Sequence, residues 1–128
     1  MHGDIKAANI LVGNHFNTIK LCDFGVTVAV DKEGVAREGA VYVGTEAWSP
    51  REVIMDEVVT TKADMFALGM VIFEMLALHP PHIDKLDVEE GSGEEEEEME
   101  GVGEEAFRRA LGSRPALPDT CTLDTSYR

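Results

Sequence analysis

The sequence predicts an α+β fold, mainly helical, with one short β-hairpin. Two brief apolar runs flank a turn-forming stretch near the start, which predicts the hairpin. A 16-residue block without proline and with an almost continuous apolar surface predicts a buried helix. Acidic charge is concentrated in one later segment, so the remainder has an ordinary balance. At 128 residues, 44% hydrophobic and 6% aromatic, the chain has the size of one domain or part of one. A unit of that length buries roughly two thirds of its unfolded surface.

The elements follow in order. Ile10-Leu11-Val12 is the first strand candidate and Thr18-Ile19-Lys20-Leu21-Cys22 the second, with a turn over Gly13 to Asn17. Val26 to Ala40 sustains no periodicity, and Gly34 and Gly39 interrupt it, so a long loop is expected. Ala63 to Leu78 is the apolar helix, and Pro80-Pro81 stops it. Glu104 to Leu111 is a short amphipathic helix that Gly112 caps. There is no internal repeat.

Acidic residues outnumber basic ones 25 to 11, for a net charge of −14. Nucleic acid and anionic membrane surfaces both require clustered Lys and Arg, so neither is expected as a partner. Residues Asp87 to Glu105 hold 11 of the acids and no base, and without them the net charge is −3. Self-repulsion and a lack of apolar groups predict disorder there, with a basic protein as the partner such a segment attracts. Cys22 and Cys121 follow no metal-ligand spacing, and no secretory segment is apparent. They are expected to be reduced thiols in an intracellular protein. Cys22 is expected to serve as a small core hydrophobe.

The chemistry sits at the front. His2-Gly3-Asp4-Ile5-Lys6 leads to Asn9, and Asp23-Phe24-Gly25 begins 14 residues after it. Asp4 and Lys6 are two apart, so an extended loop can point both at one reacting group. Asn9 offers an amide oxygen and Asp23 a carboxylate, an oxygen pair suited to Mg²⁺ with water and phosphate completing the shell. The hairpin between them would return one to the other. A carboxylate beside a lysine and a metal can align a hydroxyl for attack on a phosphoryl group.

Each piece alone is weak, but their conjunction and order resemble the protein kinase catalytic loop, His-Arg-Asp-x-Lys-x-x-Asn, followed by Asp-Phe-Gly. Gly44-Thr45-Glu46-Ala47-Trp48-Ser49-Pro50-Arg51-Glu52 looks like the end of an activation segment. Thr61 to Gly69 looks like the start of the central kinase helix. Together with the acidic run before Gly112-Ser113-Arg114-Pro115, these motifs resemble the T-LAK cell-originated (PDZ-binding) kinase family, which is similar to mitogen-activated protein kinase kinases.

That resemblance implies a piece of a kinase C-terminal lobe, truncated at both ends. Residues 1–86 would hold the catalytic loop, activation segment and central helix, 87–105 the disordered acidic insert, and 106–128 a short helix and the cut end of the lobe. It implies a serine/threonine or dual-specificity kinase that uses ATP and Mg²⁺ on protein substrates. Signalling and mitotic roles and a cytoplasmic or nuclear location go with it. Asp4 would be the catalytic base and Lys6 would touch the transferred phosphate. Asn9 and Asp23 would hold Mg²⁺, and Thr45 would brace Asp4 and Lys6. His2, Gly25, Glu52 and Asp64 would be structural, with Glu52 paired to a later arginine and Asp64 holding the loop backbone.

The departures are informative. Gly3 replaces the usual Arg, so a phosphate on the activation segment, at Thr27, Tyr42 or Thr45, loses its anchor there. Gly3→Arg is expected to leave basal activity unlowered while adding sensitivity to such a phosphate. No Gly-rich loop or Lys-bearing strand precedes His2, so the chain alone is expected to be inactive. Gly3 also fits small-molecule phosphotransferases of the aminoglycoside and choline kinase type, and a non-catalytic acidic interaction fragment is a third alternative.

Overall fold

A computed structural model describes residues 1–86 and 96–118. Strands β1 (Ile10–Gly13) and β2 (Thr18–Leu21) form the antiparallel hairpin, with Ile10 opposite Leu21 and Gly13 opposite Thr18. Its loop is tight. Asn14, His15 and Phe16 have φ of 50°, 53° and 67°, and the Asn17 N–H closes on the Asn14 carbonyl at 3.0 Å. The Cys22 N–H also donates to the Asn9 carbonyl at 3.0 Å, which extends the pairing by one bond at the open end.

The long loop is present and pinned. Asp31 Oδ1 accepts from the Glu33 and Val35 N–H groups, at 3.0 and 2.8 Å, an Asx-type turn. Isolated bridges join Val30 to Ala36 and Val35 to Thr60. A 3₁₀ turn at Glu46–Trp48 leads into the short helix α1 (Arg51–Ile54). Helix α2 (Lys62–Ala77) lies one residue earlier than predicted at both ends. Leu78 takes a left-handed φ of 61° and returns its N–H to the Glu74 carbonyl at 2.8 Å, so the helix closes before Pro80-Pro81 rather than at them.

The last helix departs most from expectation. Helix α3 spans Glu96–Ala110, so the disorder expected across 87–105 does not hold from Glu96 onward, and the helix predicted at Glu104–Leu111 starts eight residues earlier. Glu is a good helix former. Farther along, Glu104–Arg108 and Glu105–Arg109 form i,i+4 pairs with the acid N-terminal. Gly112 has φ 74°, as the predicted cap requires. Its lack of a Cβ also matters for packing, because one would stand 2.8 Å from the Arg51 Cα. The rest of the acidic insert, Cys121 and the Tyr127-Arg128 end lie outside the described residues.

The core joins the front loop to α2. Ile5, Ala67 and Val71 form it, with Ile10 and Trp48 packed against them. Small Ala63 and Ala67, at 0% and 2% exposure, let backbone come close to this face of α2. Full burial of α2, expected from its composition, does not hold among the described residues. Met65, Ile72 and Met75 are more than half exposed. Met65 and Ile72 line an open groove of about 700 Å³. None of the described helices is long and apolar enough to cross a membrane.

Candidate active site

The Asp4 carboxylate is the centre of a closed polar cluster. Its Oδ1 accepts from the Thr45 hydroxyl at 2.6 Å. Its Oδ2 lies 2.9 Å from Lys6 Nζ and accepts from Asn9 Nδ2 at 3.0 Å. Lys6 Nζ also donates to Thr45 Oγ1 at 2.9 Å. Thr45 thus accepts from the lysine and donates to the aspartate, locking both from 39 or more residues away. Burial pushes the Asp4 carboxyl up. The hydrogen bonds from Thr45 and Lys6, the Lys6 charge and the Asn9 amide outweigh it and hold the group below the usual carboxylate value. Asp4 is therefore an anion at neutral pH, poised to accept a hydrogen bond from a hydroxyl.

The backbone beneath this cluster is held by Asp64, from the first turn of α2. Its Oδ2 accepts from the His2 N–H at 2.6 Å and its Oδ1 from the Gly3 N–H at 3.0 Å. His2 is buried and spans two segments. Its Nε2 bonds the Cys22 carbonyl at 2.9 Å, its Nδ1 accepts from the Asp4 N–H at 3.3 Å, and its ring tilts against Phe24 at 5.1 Å. A carbonyl only accepts, so Nε2 carries the proton. A histidine so engaged is a strut between the Asp4 and Asp23 segments, not a base. Cys22, beside it, is only partly buried.

Asn9 is buried, and both of its side-chain bonds use the amide nitrogen, to the Asp4 carbonyl at 2.8 Å and to Asp4 Oδ2. This turns its Oδ1 away from the cluster. Asp23 follows directly from the residue paired with Asn9. It is exposed and takes a left-handed φ of 59°. Its Oδ1 contacts the Gly25 N–H at 3.4 Å, and a Cβ on Gly25 would stand 3.3 Å from that oxygen. One amide oxygen and one accessible carboxylate fit a hard cation that takes its remaining ligands from water and phosphate. No group of three His, Cys, Asp or Glu among the described residues would hold a metal by itself. Glu52 sits apart, on α1 at the apolar groove, and has no ion-pair partner among the described residues.

Three features were not legible in the sequence. Gly3 has φ 86°, and a Cβ there would lie 2.6 Å from the Val26 carbonyl oxygen. Position 3 thus excludes a side chain in this conformation, so Gly3→Arg must displace the Val26 carbonyl, which counts against the expectation of unlowered activity. Ser49 is 3% exposed and donates to the Thr45 carbonyl at 3.0 Å, holding Thr45 in place. Only its spacing of four residues from Thr45 hints at that. Tyr42 is half-buried close to the cluster. Burial, then the charges of Asp64, Asp4 and Glu52, raise its hydroxyl well above the usual phenol range. A phosphate on Tyr42 would meet the same carboxylates.

Residues 1–111 match the protein kinase domain family. Over its whole length the chain is 38% identical to 40% of the human lymphokine-activated killer T-cell-originated protein kinase. Across 66% of its length it is 42% identical to 8% of the serine/threonine-protein kinase KIC1 of Saccharomyces cerevisiae. Among solved structures, the kinase PK-1 of Cydia pomonella granulovirus superposes with a TM-score of 0.52 at 25% identity, over 92% of this chain and 40% of that one. The chain therefore spans well under half the length of these relatives.

Proposed function

Because the chain belongs to the protein kinase family, we propose that it supplies the phosphate-acceptor half of a serine/threonine kinase site. The observation that carries the proposal is the closed ring of Asp4, Lys6 and Thr45. A protein hydroxyl placed at Asp4 would donate to its carboxylate, which aligns the oxygen for attack on the terminal phosphate of ATP. Lys6, already 2.9 Å from Asp4, stands ready to offer its charge to the phosphate being transferred. Asn9 Oδ1 and the Asp23 carboxylate would hold Mg²⁺, which when bound neutralises phosphate charge. Asp64, His2 and Ser49 position these groups and do not touch the reactants.

The left-handed backbone and the nearby Val26 carbonyl give Gly3 a conformational role that requires no small-molecule substrate. The acidic insert would attract a basic protein partner, in a cytoplasmic or nuclear signalling kinase. On its own, the 128-residue chain is proposed to lack transfer activity, because these groups serve the hydroxyl and metal but do not clamp a nucleotide base.

The test is a chimaera in which this chain replaces the matching part of the human relative. With Mg-ATP and a basic protein substrate it should transfer phosphate. Asp23→Asn should lower turnover by at least about a hundredfold and raise the Mg²⁺ concentration needed for half-maximal rate. A folded chimaera whose rate and Mg²⁺ requirement ignore Asp23→Asn would place the metal elsewhere.

A further inference from the structure

We propose that the cavity enclosed by the end of α2, the 3₁₀ turn Ile83–Lys85 and the segment after α3 binds a small organic phosphate. The cavity measures about 310 Å³, the lower end of the range for small-molecule sites. No residue of the Asp4 cluster lines it. Its chemistry is unlike the rest of this acidic chain, because His79, His82, Lys85 and Arg114 all contribute to its walls and Asp84 is its one carboxylate.

His82 is the buried feature that points to a ligand. Its side chain is 2% exposed, and its Nε2 has no hydrogen-bond partner. An unpaired buried nitrogen is costly. The backbone that delivers it is also unusual, with φ of 63° at a residue that has a side chain. Phe73 meets the His79 ring edge-on at 5.6 Å and supplies an apolar surface within the same cavity. His79 Nδ1 bonds the Pro80 carbonyl at 2.9 Å, which leaves its Nε2 for another partner. Lys85 pairs with Asp84 at 2.7 Å. Arg114 has no ion-pair partner among the described residues and is the one uncommitted guanidinium of the wall. Two imidazoles and two cations suit a dianionic phosphate, and Phe73 suits an attached ring or hydrocarbon group.

Binding at this site is coupled to protons. Burial lowers the His82 proton affinity, while the Asp84 charge and the Ser113 backbone oppose that and Lys85 adds to it. Phosphate arriving beside the ring would favour the imidazolium, so affinity for a phosphate monoester, which stays a dianion above its second pKa of about 6, should rise as pH falls from about 8 to about 6.5.

The experiment is an NMR titration of the full chain with phenyl phosphate and, separately, inorganic phosphate, following the His79 and His82 imidazole signals. Saturable shifts are expected at both rings, with phenyl phosphate at least about fivefold tighter at pH near about 6.5 than near about 8, and tighter than inorganic phosphate at pH near about 8, where both are dianions. Arg114→Ala, at an exposed position outside any hydrogen bond, should weaken binding at least about tenfold. Arg108→Ala, an exposed cation away from the cavity, should leave it unchanged. Non-saturating shifts, equal binding by Arg114→Ala, or equal loss in Arg108→Ala would overturn the site. Inorganic phosphate binding as tightly as phenyl phosphate would overturn the organic class of ligand.

Discussion

The two sides of helix α2 present opposite states of completion. Toward its N-terminus, Asp64 and the loop it holds form a polar network in which Asp4, Lys6, Asn9 and Thr45 satisfy one another. On its far flank, Met65, Ile72 and Met75 are exposed. Among the described residues, the buried side-chain polar atoms without partners, Trp48 Nε1, Glu74 Oε2 and His82 Nε2, also lie outside the Asp4 network. The contrast separates two requirements. Positioning a carboxylate for chemistry needs a few long-range hydrogen bonds, which this stretch of chain makes by itself. Covering an apolar helix needs surface, and the described residues cover one face only.

The contrast can be broken most strongly at α2 itself. Phe73 is buried, whereas its neighbour Ile72 is 52% exposed. Phe73→Ala should cost about 3–5 kcal/mol of stability, while Ile72→Ser should stay within about 0.5 kcal/mol. Urea unfolding of the two variants measures both. Similar losses would mean that the exposed flank is covered after all.

A smaller effect sharpens the polar side. Gly3→Ala must displace the Val26 carbonyl that its Cβ would meet at 2.6 Å, at a cost of about 1–3 kcal/mol. Gly13→Ala, with open space around it, should cost under about 1 kcal/mol and serves as the control. Equal melting temperatures for the two would show that the backbone at position 3 is free to relax.

The smallest effect is a pH dependence. Asp4 titrates below its ordinary value in the folded chain. Its contribution is therefore fully present above the unfolded value, about 3.9, and is lost as pH falls through the lower folded one. Thr45→Val removes part of that contribution. The stability gap between parent and Thr45→Val, read from urea midpoints, should be wider near pH 6 than near pH 3. A gap independent of pH would mean that Thr45 acts by packing alone.

Much of the site was legible because it rests on residue types at fixed spacing. Asp4, Lys6, Asn9 and Asp23 need only a loop and a hairpin to converge, and both have clear signals in Gly13–Asn17 and the flanking apolar runs. What escaped depends on backbone angles and on approaches between distant segments. Gly3 looks like a lost side chain until its φ and the Val26 carbonyl are seen. His82 has no signal in the sequence, because its burial depends on distant segments that meet it around one cavity. The first eight residues of helix α3 escape a reading by charge, because net charge argues for disorder whereas the helix propensity of Glu prevails.

The central claim is that the Asp4 carboxylate, held by Thr45 and Lys6, aligns a protein hydroxyl for phosphoryl transfer. The most direct measurement is the turnover of the chimaera carrying Asp4→Asn, with circular dichroism matched to the parent. Asparagine keeps the shape and the Thr45 contact but cannot accept the hydroxyl proton as a carboxylate does, so turnover should fall by about 10²–10⁴-fold. Turnover within about threefold of the parent, in a folded Asp4→Asn protein that still responds to Asp23→Asn, would contradict it.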